Sequence, residues 1–282
     1  MPIPDDLIIM PAQAVSVIGI LNLTPDSFYD GGRYAGAQAI GRFEALIAEG
    51  ADCVDVGAQS SRPGAAAISE EEESHRLEPF FESGPARRGV PISLDTASAR
   101  VARYGVEHGV SIINDITGCR QDPEGMVGLL TEFPSVRFIL MHMQGDPRTM
   151  QAAPRYGEVV ADIMDFFTQR LAFLASQGIA RERVILDPGI GFGKTLAHNL
   201  AIMAAVRTIK TTFGLAVLIG ASRKSFIAGI CPDTPVDERL GGSLAAALWC
   251  AREGVDHLRV HDVRQTVQAL AVWRGIEQSL SS

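Results

Sequence analysis

A glycine-rich segment with one acid and one lysine has the residue types best suited to ligand chemistry. Residues 184–195 read Val-Ile-Leu-Asp-Pro-Gly-Ile-Gly-Phe-Gly-Lys-Thr. The apolar run before Asp187 is typical of a buried parallel strand, and Pro188 ends its hydrogen-bond ladder. A strand thus delivers the Asp187 carboxylate to its C-terminal end, where α/β proteins bind ligands. A carboxylate that only caps the following helix is an equally good interpretation of this segment alone.

Two nucleotide-binding motifs do not fit this segment. A P-loop needs four residues between its first glycine and the Gly-Lys pair, which puts that glycine at position 188, a proline. The spacing of Gly189, Gly191 and Gly193 also differs from the Gly-x-Gly-x-x-Gly dinucleotide fingerprint. The lysine and the glycines therefore need another explanation.

Composition indicates an intracellular globular protein that does not bind nucleic acid. The chain has 282 residues, is 46% hydrophobic and carries a formal net charge of −8, with no basic run to attract a phosphate backbone. Its four cysteines form no Cys-x-x-Cys pair and suit a reducing compartment. Residues 1–10 lack the features of a signal peptide, and no apolar run approaches membrane-spanning length. We therefore expect a cytoplasmic location.

Short strand-like runs alternate with helical patterns along the chain. The runs cover residues 15–21, 51–56, 90–94, 110–113, 136–141, 184–187, 215–220 and 256–260. Helical patterns cover residues 37–49, a segment opening at Ser69, and residues 98–108, 125–131, 159–177, 199–210, 240–253 and 263–275. This order predicts a parallel (β/α)₈ barrel in a single domain of residues 1–282. A doubly wound sheet is the alternative, but nearly every run ends in a polar residue, and barrel strands converge on one pit.

The ends of the predicted strands supply a set of polar side chains to this pit. They are Asn22, Ser61, Arg62, Asp95, Asn114, His142, Asp187, Ser222, Lys224, Arg259 and His261. Two carboxylates and an amide suit a heterocycle with several N–H donors. Arginine, lysine and histidine at the rim suit an anion such as phosphate. Asn22 beside a diphosphate would suit Mg²⁺ held partly by substrate oxygens.

Each of these residues also has a purely structural interpretation. Asp95 and Asn114 taken singly are better explained as helix N-caps. His142 alone is better explained as a core histidine with a hydrogen-bond partner. Arg62 and Arg259 could pair with surface acids, a common and weak arrangement. The convergence of the whole set on one pit favours a binding site.

These residues lie in motifs that resemble dihydropteroate synthases, a family of pterin-binding (β/α)₈ barrels. The clearest are Ile-Leu-Asn-Leu-Thr-Pro-Asp-Ser-Phe-Tyr-Asp-Gly-Gly at residues 20–32, the glycine segment and Gly-Ala-Ser-Arg-Lys-Ser-Phe-Ile at residues 220–227. Residues 60–64, 95, 114–115, 141–151 and 259–262 extend the resemblance over nearly the whole chain. It implies a transferase of folate synthesis that joins 6-hydroxymethyl-7,8-dihydropterin diphosphate to 4-aminobenzoate and releases pyrophosphate and 7,8-dihydropteroate.

The resemblance also implies a role for each residue. Asp187 would accept from the 2-amino group and the adjacent ring N–H, Asn114 and Asp95 would meet other ring nitrogens, and Lys224 would donate to the pterin oxygen and ring nitrogen. Arg259 would cover the ring face and help hold phosphate, while Asn22 and His261 would serve the diphosphate and Mg²⁺. The residues implied to frame aminobenzoate are Ser61, Arg62, Pro63, Phe192 and Ser225. Lys224, Asp95, Arg259 and His261 would be the catalytic group.

The implied reaction is dissociative. Diphosphate leaves first, the methylene cation is delocalised into the dihydropterin, and the neutral aniline attacks, which requires positioning and charge stabilisation more than a strong base. The second loop has Gly-Ala-Gln-Ser-Ser-Arg-Pro-Gly at residues 57–64, where the family usually has Gly-Gly-Glu-Ser-Thr-Arg-Pro-Gly. This departure concerns the aminobenzoate pocket and hence the response to sulfonamides.

Two alternative functions and two further expectations complete the sequence interpretation. A methyltetrahydrofolate-binding methyltransferase has no diphosphate to hold, so the group Lys224, Arg259 and His261 argues against it. A non-catalytic pterin-binding paralogue would not need residues for both substrates. The resemblance also implies a homodimer, through the small-residue helix at residues 240–253. The connections at residues 24–36 and 59–67 are expected to be mobile until pterin diphosphate and Mg²⁺ bind, which would favour aminobenzoate binding second.

Overall fold

The computed structural model describes residues 15–24, 35–59, 68–146 and 148–280. Eight parallel strands close into a barrel in chain order, so each strand pairs with its sequence neighbours and β1 also pairs with β8. The strands are β1 Ser16–Asn22, β2 Cys53–Gly57, β3 Ile92–Asp95, β4 Ile112–Asp115, β5 Arg137–Met141, β6 Val184–Asp187, β7 Ala216–Ile219 and β8 His257–Val260. The prediction of a (β/α)₈ barrel is confirmed.

Helices surround the barrel. Within the described ranges they are α1 Ala35–Ala48, α2 Glu70–Glu82, α3 Ala99–Glu107, α4 Pro123–Glu132, α5 Val159–Ser176, α6 Leu196–Ala204, α7 Val206–Phe213, α8 Phe226–Ile230, α9 Leu240–Arg252 and α10 Val263–Leu280. The start of α2 is as predicted, since the Ser69 side chain accepts from the Glu72 backbone N–H and four glutamates fill the first turn.

The single helix predicted at residues 199–210 was wrong in its length and continuity. Two helices occupy this region, α6 and α7, and Ala205 caps both with φ −95° and ψ 6°. Neither glycine nor proline marks this break in the sequence. Ile202 and Met203 of α6 and Val206 and Ile209 of α7 are all buried, but a continuous helix would place these positions on one face as well, so the burial pattern does not explain the break.

Two apolar layers hold the barrel together. The outer layer lies between the sheet and the helices and includes Phe43, Phe80 and Phe167, which are almost completely buried. The inner layer fills the barrel below its mouth with the side chains of Ile18, Cys53, Ile112, Ile139, Ile185 and Leu218. These apolar side chains close the interior of the barrel. The polar residues that follow them toward the carboxyl ends of the strands therefore line a pit that is closed at its base.

Other features of the described residues are consistent with the composition. All four cysteines are free, and three of them (Cys53, Cys119 and Cys250) are buried. Over the described ranges, no helix combines the length and the apolar character needed to cross a membrane.

Candidate active site

The pit lies at the carboxyl ends of the strands, as the sequence pattern predicted. Asn22, Asp95 and Asp187 are the last residues of β1, β3 and β6, and Asn114 is the second-last of β4. A cavity opens here, with about 320 Å³ of empty space including its open mouth. Its lining residues are Asp95, Asn114, Ile116, Met141, Asp187, Ile190, Phe192, Gly220, Lys224 and Arg259. Six of the predicted site residues are therefore brought together in one place.

Asp187 does not cap a helix. Its Oδ1 accepts from the Gly189 backbone N–H at 2.7 Å, and the cap of α6 is supplied by Thr195. Oδ2 is left as the acceptor for other groups. Burial raises the pKa of Asp187, while the Gly189 N–H and the Lys224 and Arg259 charges oppose the rise. The carboxylate is thus a ligand-facing group and not a structural cap.

The glycines of this loop are required by close backbone approach. A Cβ at Gly189 would lie 2.1 Å from the carbonyl oxygen of His142, and φ there is +70°. A Cβ at Gly193 would lie 2.5 Å from the carbonyl oxygen of Gln144, with φ +64°. Only glycine fits both conditions, so the loop after β6 can press against the end of β5 and cross the barrel mouth.

Lys224 contacts both the backbone and the aromatic wall of the cavity. Its Nζ donates to the Ile190 carbonyl at 2.8 Å and lies 4.0 Å from the centre of the Phe192 ring. Burial lowers the pKa of Lys224 to about 8, against the opposing effect of the Asp187 carboxylate. At neutral pH the side chain is mostly an ammonium that can donate to a ligand oxygen or ring nitrogen.

Lys194 lies behind the cavity wall. Its Nζ is within 3.0 Å of the Phe192 carbonyl, 3.1 Å of His142 Nδ1 and 3.3 Å of the His142 carbonyl. Burial, followed by the Lys194 charge, lowers the pKa of His142 to about 3, and burial lowers that of Lys194 to about 7. His142 is therefore the buried, partnered histidine that its sequence context suggested, and Lys194 joins the glycine loop to β5.

Arg259 is held by two acids from neighbouring strands. Its Nε donates to Asp55 Oδ2 at 2.5 Å and its Nη2 to Asp95 Oδ2 at 3.0 Å. Asp55 is 1% exposed, and Arg259 and Asp95 are 17% and 12% exposed. The surface-pair interpretation of Arg259 was wrong. So was the N-cap interpretation of Asp95, because Ser98 caps α3.

The ion pair changes how Asp95 can contact a ligand. Burial and the nearby Asp55 charge raise the pKa of Asp95 to about 7, although Arg259 opposes the rise. Near neutral pH both forms are populated, so Asp95 can accept from a ring N–H or donate to a bare ring nitrogen.

Asn114 is oriented by the same acid that holds Arg259. Its Nδ2 donates to Asp55 Oδ2 at 3.1 Å, while Oδ1 is buried and has no partner among the described residues. The cap of α4 is Asp122, so the N-cap interpretation of Asn114 was also wrong. An unpaired amide oxygen in a cavity wall is an acceptor available to a ligand.

His261, Ser222 and Ser225 lie next to the cavity but not in its lining. His261 Nδ1 is 3.1 Å from Ser222 Oγ, and burial and the Arg259 charge lower the pKa of His261 to about 4. In the free protein it offers a hydrogen bond and not a charge. Arg223 beside it pairs with both oxygens of Asp262. Ser225 precedes the short helix α8 and makes no side-chain cap.

Asn22 ends β1 beside Gly57 of β2. Within the described part of the chain, no group of three or more histidine, cysteine, aspartate or glutamate side chains is placed to hold a metal ion. A hard cation here would have the Asn22 amide oxygen as a protein ligand and take the rest from a ligand phosphate and water. That donor set fits Mg²⁺, which commonly retains waters and binds through substrate phosphates.

Three predicted site residues fall outside the described ranges, and two buried residues that support the site were not predicted. Ser61, Arg62 and Pro63 lie outside the described residues, as does most of each connection expected to be mobile (25–34 and 60–67). Asp55 and Lys194 were missed. The sequence signal for Asp55 is an acid between two valines inside a strand, since a buried charge requires a partner. Lys194 stood in the glycine segment that fitted no phosphate motif.

The geometry defines a class of protein: a (β/α)₈ barrel whose mouth presents carboxylates, an amide, a lysine and an arginine to a flat polar heterocycle. A family model described as pterin binding enzyme matches residues 18–261, which span all eight strands except the start of β1. The site and the family model therefore agree on the kind of ligand.

Individual relatives narrow the class further. The chain is 43% identical to the dihydropteroate synthase of Escherichia coli strain K12 over 267 residues, covering 94% of this chain and 92% of that one. It resembles the dihydropteroate synthase of Yersinia pestis in a sulfonamide drug complex (TM-score 0.86, 38% identity, 94% of each chain). It also resembles that of Xanthomonas albilineans with 4-aminobenzoic acid (TM-score 0.86, 39% identity, 93% of each chain). The chain belongs to the pterin-binding enzyme family and, within it, to the dihydropteroate synthases.

Proposed function

We propose that this chain condenses 6-hydroxymethyl-7,8-dihydropterin diphosphate with 4-aminobenzoate, giving 7,8-dihydropteroate and pyrophosphate in folate synthesis. The observation that carries the proposal is the cavity whose walls include Asp187, Asn114 and Lys224 at the mouth of a barrel 43% identical to a dihydropteroate synthase. The relatives of known structure, one with 4-aminobenzoic acid and one with a sulfonamide drug, support aminobenzoate as the second substrate and sulfonamides as inhibitors.

The pterin is recognised by matching donors and acceptors. Oδ2 of Asp187 accepts from the 2-amino group and the neighbouring ring N–H, because its other oxygen is occupied by Gly189. The unpaired Oδ1 of Asn114 accepts from a ring N–H, and Asp95 contacts a further ring nitrogen. Lys224 donates to the pterin oxygen and the adjacent ring nitrogen. The Arg259 guanidinium covers the ring face.

The diphosphate binds at the rim. Arg259 and His261 contact its oxygens, and Asn22 would contribute an amide oxygen to a bound Mg²⁺ ion. That ion would supply charge neutralisation to the leaving diphosphate. In the free protein His261 is neutral, with a pKa of about 4, and a bound diphosphate favours its protonated form.

Bond breaking precedes bond making. The C–O bond to the diphosphate breaks, its electron pair leaves with the oxygen, and the methylene cation is stabilised by the electron-rich dihydropterin. The aniline nitrogen of aminobenzoate then forms the C–N bond and releases a proton to pyrophosphate or water. The chain holds the reactants together and stabilises the charge of the leaving group, so no strong base is required.

Aminobenzoate occupies the outer part of the pit. Phe192, whose ring lies against Lys224, forms one wall. Ser225, at the start of α8, is a further residue assigned to this substrate. The resemblance assigns Ser61, Arg62 and Pro63 of the second loop to it as well, and these three lie outside the described residues. Gln59 precedes that loop where the family usually has glutamate, so the response to sulfonamides is a property of this chain to be measured.

The chain acts as a single domain and as a homodimer in this proposal. The family match over residues 18–261 supports the first. Exposed apolar side chains on adjacent helices support the second, with Trp249 on α9 and Val272 and Ile276 on α10. Four free cysteines suit the reducing cytoplasm, where we place the enzyme.

One assay separates this function from its alternatives. Purified protein is mixed with the pterin diphosphate and Mg²⁺, with and without aminobenzoate, and pyrophosphate and 7,8-dihydropteroate are quantified. We expect both products in equal amounts and only when aminobenzoate is present. A non-catalytic pterin-binding protein would bind the pterin and release no pyrophosphate. A methyltransferase would be inactive here and would instead demethylate methyltetrahydrofolate when given a methyl acceptor.

A further inference from the structure

Asp55 contacts two residues of the pterin pocket without lining the pocket itself. It is 1% exposed, in the middle of β2, and absent from the cavity wall. Its Oδ2 accepts from Arg259 Nε at 2.5 Å and from Asn114 Nδ2 at 3.1 Å. One buried carboxylate oxygen of Asp55 therefore fixes two groups that face the ligand, Arg259 from β8 and Asn114 from β4.

The first consequence concerns the amide of Asn114. The Asp55 oxygen that accepts from Arg259 Nε also accepts from Asn114 Nδ2, so the amide turns its nitrogen toward Asp55. Turning the amide around would place two acceptor oxygens together in a buried site, which is costly. Oδ1 is consequently the atom of Asn114 left for the ligand, and it has no partner among the described residues. Asp55 thereby leaves Asn114 with an acceptor oxygen for the N–H groups of the ring.

The second consequence concerns the guanidinium of Arg259. The fork of five N–H donors is planar, and two of them are occupied by Asp55 and Asp95 on adjacent strands. These two contacts fix the plane of the guanidinium as well as its position. Asp55 and Asp95 raise the pKa of Arg259 against the lowering effect of burial, so the group stays charged. With Asp55 removed, the one hydrogen bond from Nη2 to Asp95 would restrain the plane less than the two bonds together.

We propose that Asp55 is a positioning residue for pterin recognition, which sets the donor and acceptor orientation of Asn114 and the plane of Arg259. The proposal rests on the proposed function and adds to it a residue that touches neither substrate. It assigns Asp55 to the pterin half of the site. Aminobenzoate, which contacts neither Asn114 nor Asp55 in the proposed arrangement, should be affected little.

The test compares Asp55→Asn with Asp256→Asn. Asp256 is a matched control, because its carboxylate also binds a cation (Lys210 Nζ, 2.8 Å) and a backbone N–H (Val217, 2.9 Å), but at the opposite end of the barrel. For each variant we measure the melting temperature, the calorimetric Kd of 6-hydroxymethylpterin and the KM of aminobenzoate at saturating pterin diphosphate. The two ligands together distinguish positioning from general loosening of the fold.

Asp55→Asn should raise the pterin Kd by about tenfold or more, because the new amide allows Asn114 to turn a donor toward the ring. The aminobenzoate KM should stay within about twofold. Asp256→Asn should lower the melting temperature and leave both ligand constants near wild type. A melting temperature that falls in Asp55→Asn while the pterin Kd is unchanged would overturn the proposal in favour of a structural role.

Two further measurements complete the test. In an Asn114→Ala background, Asp55→Asn should raise the pterin Kd by a smaller factor than in wild type, and an undiminished factor contradicts action through Asn114.

If Asp55→Asn does not fold, neutron diffraction of the wild-type pterin complex decides. A deuteron between Asn114 Nδ2 and Asp55 is expected, and Oδ1 turned toward Asp55 overturns the proposal. Failure of wild type to bind pterin would instead contradict the proposed function.

Discussion

The two sides of the pit hold their cations in different ways. On the side of β2, β3 and β8, Arg259 is fixed by two carboxylates. On the side of β5, β6 and β7, Lys194 and Lys224 donate mainly to backbone carbonyls of a glycine loop. Carboxylates compensate the charge of Arg259, whereas backbone carbonyl dipoles and the Asp187 carboxylate compensate the charges of Lys194 and Lys224.

The two sides also differ in which charges depend on pH. A guanidinium stays charged near neutral pH with or without acidic partners, and Asp55 and Asp95 raise the pKa of Arg259 further. Carbonyl oxygens compensate a buried ammonium less completely, and the pKa values of Lys194 and Lys224 fall to about 7 and 8. We infer that Arg259 keeps its charge as pH changes, whereas the charges of Lys194 and Lys224 vary with pH, as does that of Asp95, whose pKa is about 7.

The largest effect is expected from Asp187→Asn, which changes the acid whose charge acts on both Lys194 and Lys224. The oxygen of the new amide would still accept from the Gly189 N–H, as Asp187 Oδ1 does at 2.7 Å. The NH₂ group of that amide would then face the ring donors. Loss of a charge-assisted pair with two donors opposed costs a few kcal/mol, so pterin Kd should rise by about 100-fold or more.

Calorimetry with 6-hydroxymethylpterin measures this change, and thermal melting serves as the folding control. A folded Asp187→Asn protein with pterin affinity near wild type would remove Asp187 from the recognition set. The arginine side would then have to account for ring binding alone.

A second comparison separates the two lysines. Lys224 lines the cavity and Lys194 does not. Lys224→Met should therefore weaken pterin binding by about tenfold to 100-fold with little loss of stability. Lys194→Met should instead destabilise the protein by roughly 2 kcal/mol, since it leaves the His142 and Phe192 carbonyls without their donor.

Thermal melting and pterin calorimetry on both variants measure this contrast. For a chain of this size, 2 kcal/mol corresponds to about 4–8 °C in melting temperature. The opposite pattern, in which Lys194→Met loses ligand affinity at unchanged stability and Lys224→Met melts early, would reverse the assignment of the two lysines.

The same two sides differ in how far the sequence predicts them. Most of the lysine side comes from one continuous segment, residues 184–195, whose strand, acid and glycines were recognised together, and Lys224 comes from the separate motif at residues 220–227. The arginine side joins Arg259 to Asp55 across 204 positions of the chain, a distance that no local pattern spans. The alternation of apolar runs predicts the barrel because each run is local. The ion pair forms only once the barrel has closed and β8 pairs with β1, the strand that lies between β8 and β2.

The sequence also failed to predict residues whose contacts depend on the exact geometry of a turn. Lys194 follows Gly193 in a motif that differs by one residue from a P-loop, and its acceptors are the carbonyls of Phe192 and His142. Which carbonyls a lysine reaches depends on backbone angles such as φ +81° at Gly191. Residue types in the sequence indicate that glycine permits such angles but not where the carbonyls then point.

A smaller effect is expected from pH, through the lowered pKa of Lys224. Its ammonium is lost as pH rises through about 8, so pterin affinity should fall there. For folding the sign is opposite. The unfolded lysine keeps its proton up to its ordinary pKa of 10.5, so this group's contribution to stability rises between pH 8 and 10.5.

Lys224→Arg provides the control, because guanidinium stays charged over this range. The ratio of wild-type to Lys224→Arg pterin Kd should increase by about tenfold between about pH 7 and 9.5, because the charged fraction of a lysine with a pKa of about 8 falls from about nine-tenths to a few per cent. Ionisation of the pterin itself is common to both proteins and cancels. A ratio that stays constant would show that Lys224 does not titrate in this range.

The smallest effect is expected at the aromatic wall. Phe192→Leu keeps an apolar side chain and removes the ring face that lies 4.0 Å from Lys224 Nζ. A contact of this kind contributes about 0.5–1 kcal/mol, so aminobenzoate KM should rise by about twofold to fivefold. Steady-state kinetics at saturating pterin diphosphate measure it. The aminobenzoate KM of Lys224→Met is measured in the same assay. A larger rise in this KM for Phe192→Leu than for Lys224→Met would indicate that the ring contributes more than the charge to aminobenzoate binding.

A crystal structure with bound 6-hydroxymethylpterin is the most direct test of the claim that both sides of the pit read one ring. We expect the ring edge on Asp187 Oδ2, Asn114 Oδ1 and Lys224 Nζ, and its face against Arg259. The Arg259 contacts to Asp55 and Asp95 should be retained. A pterin bound elsewhere, or bound here with Asn114 Nδ2 turned to the ring and Arg259 released from Asp55, would contradict this account.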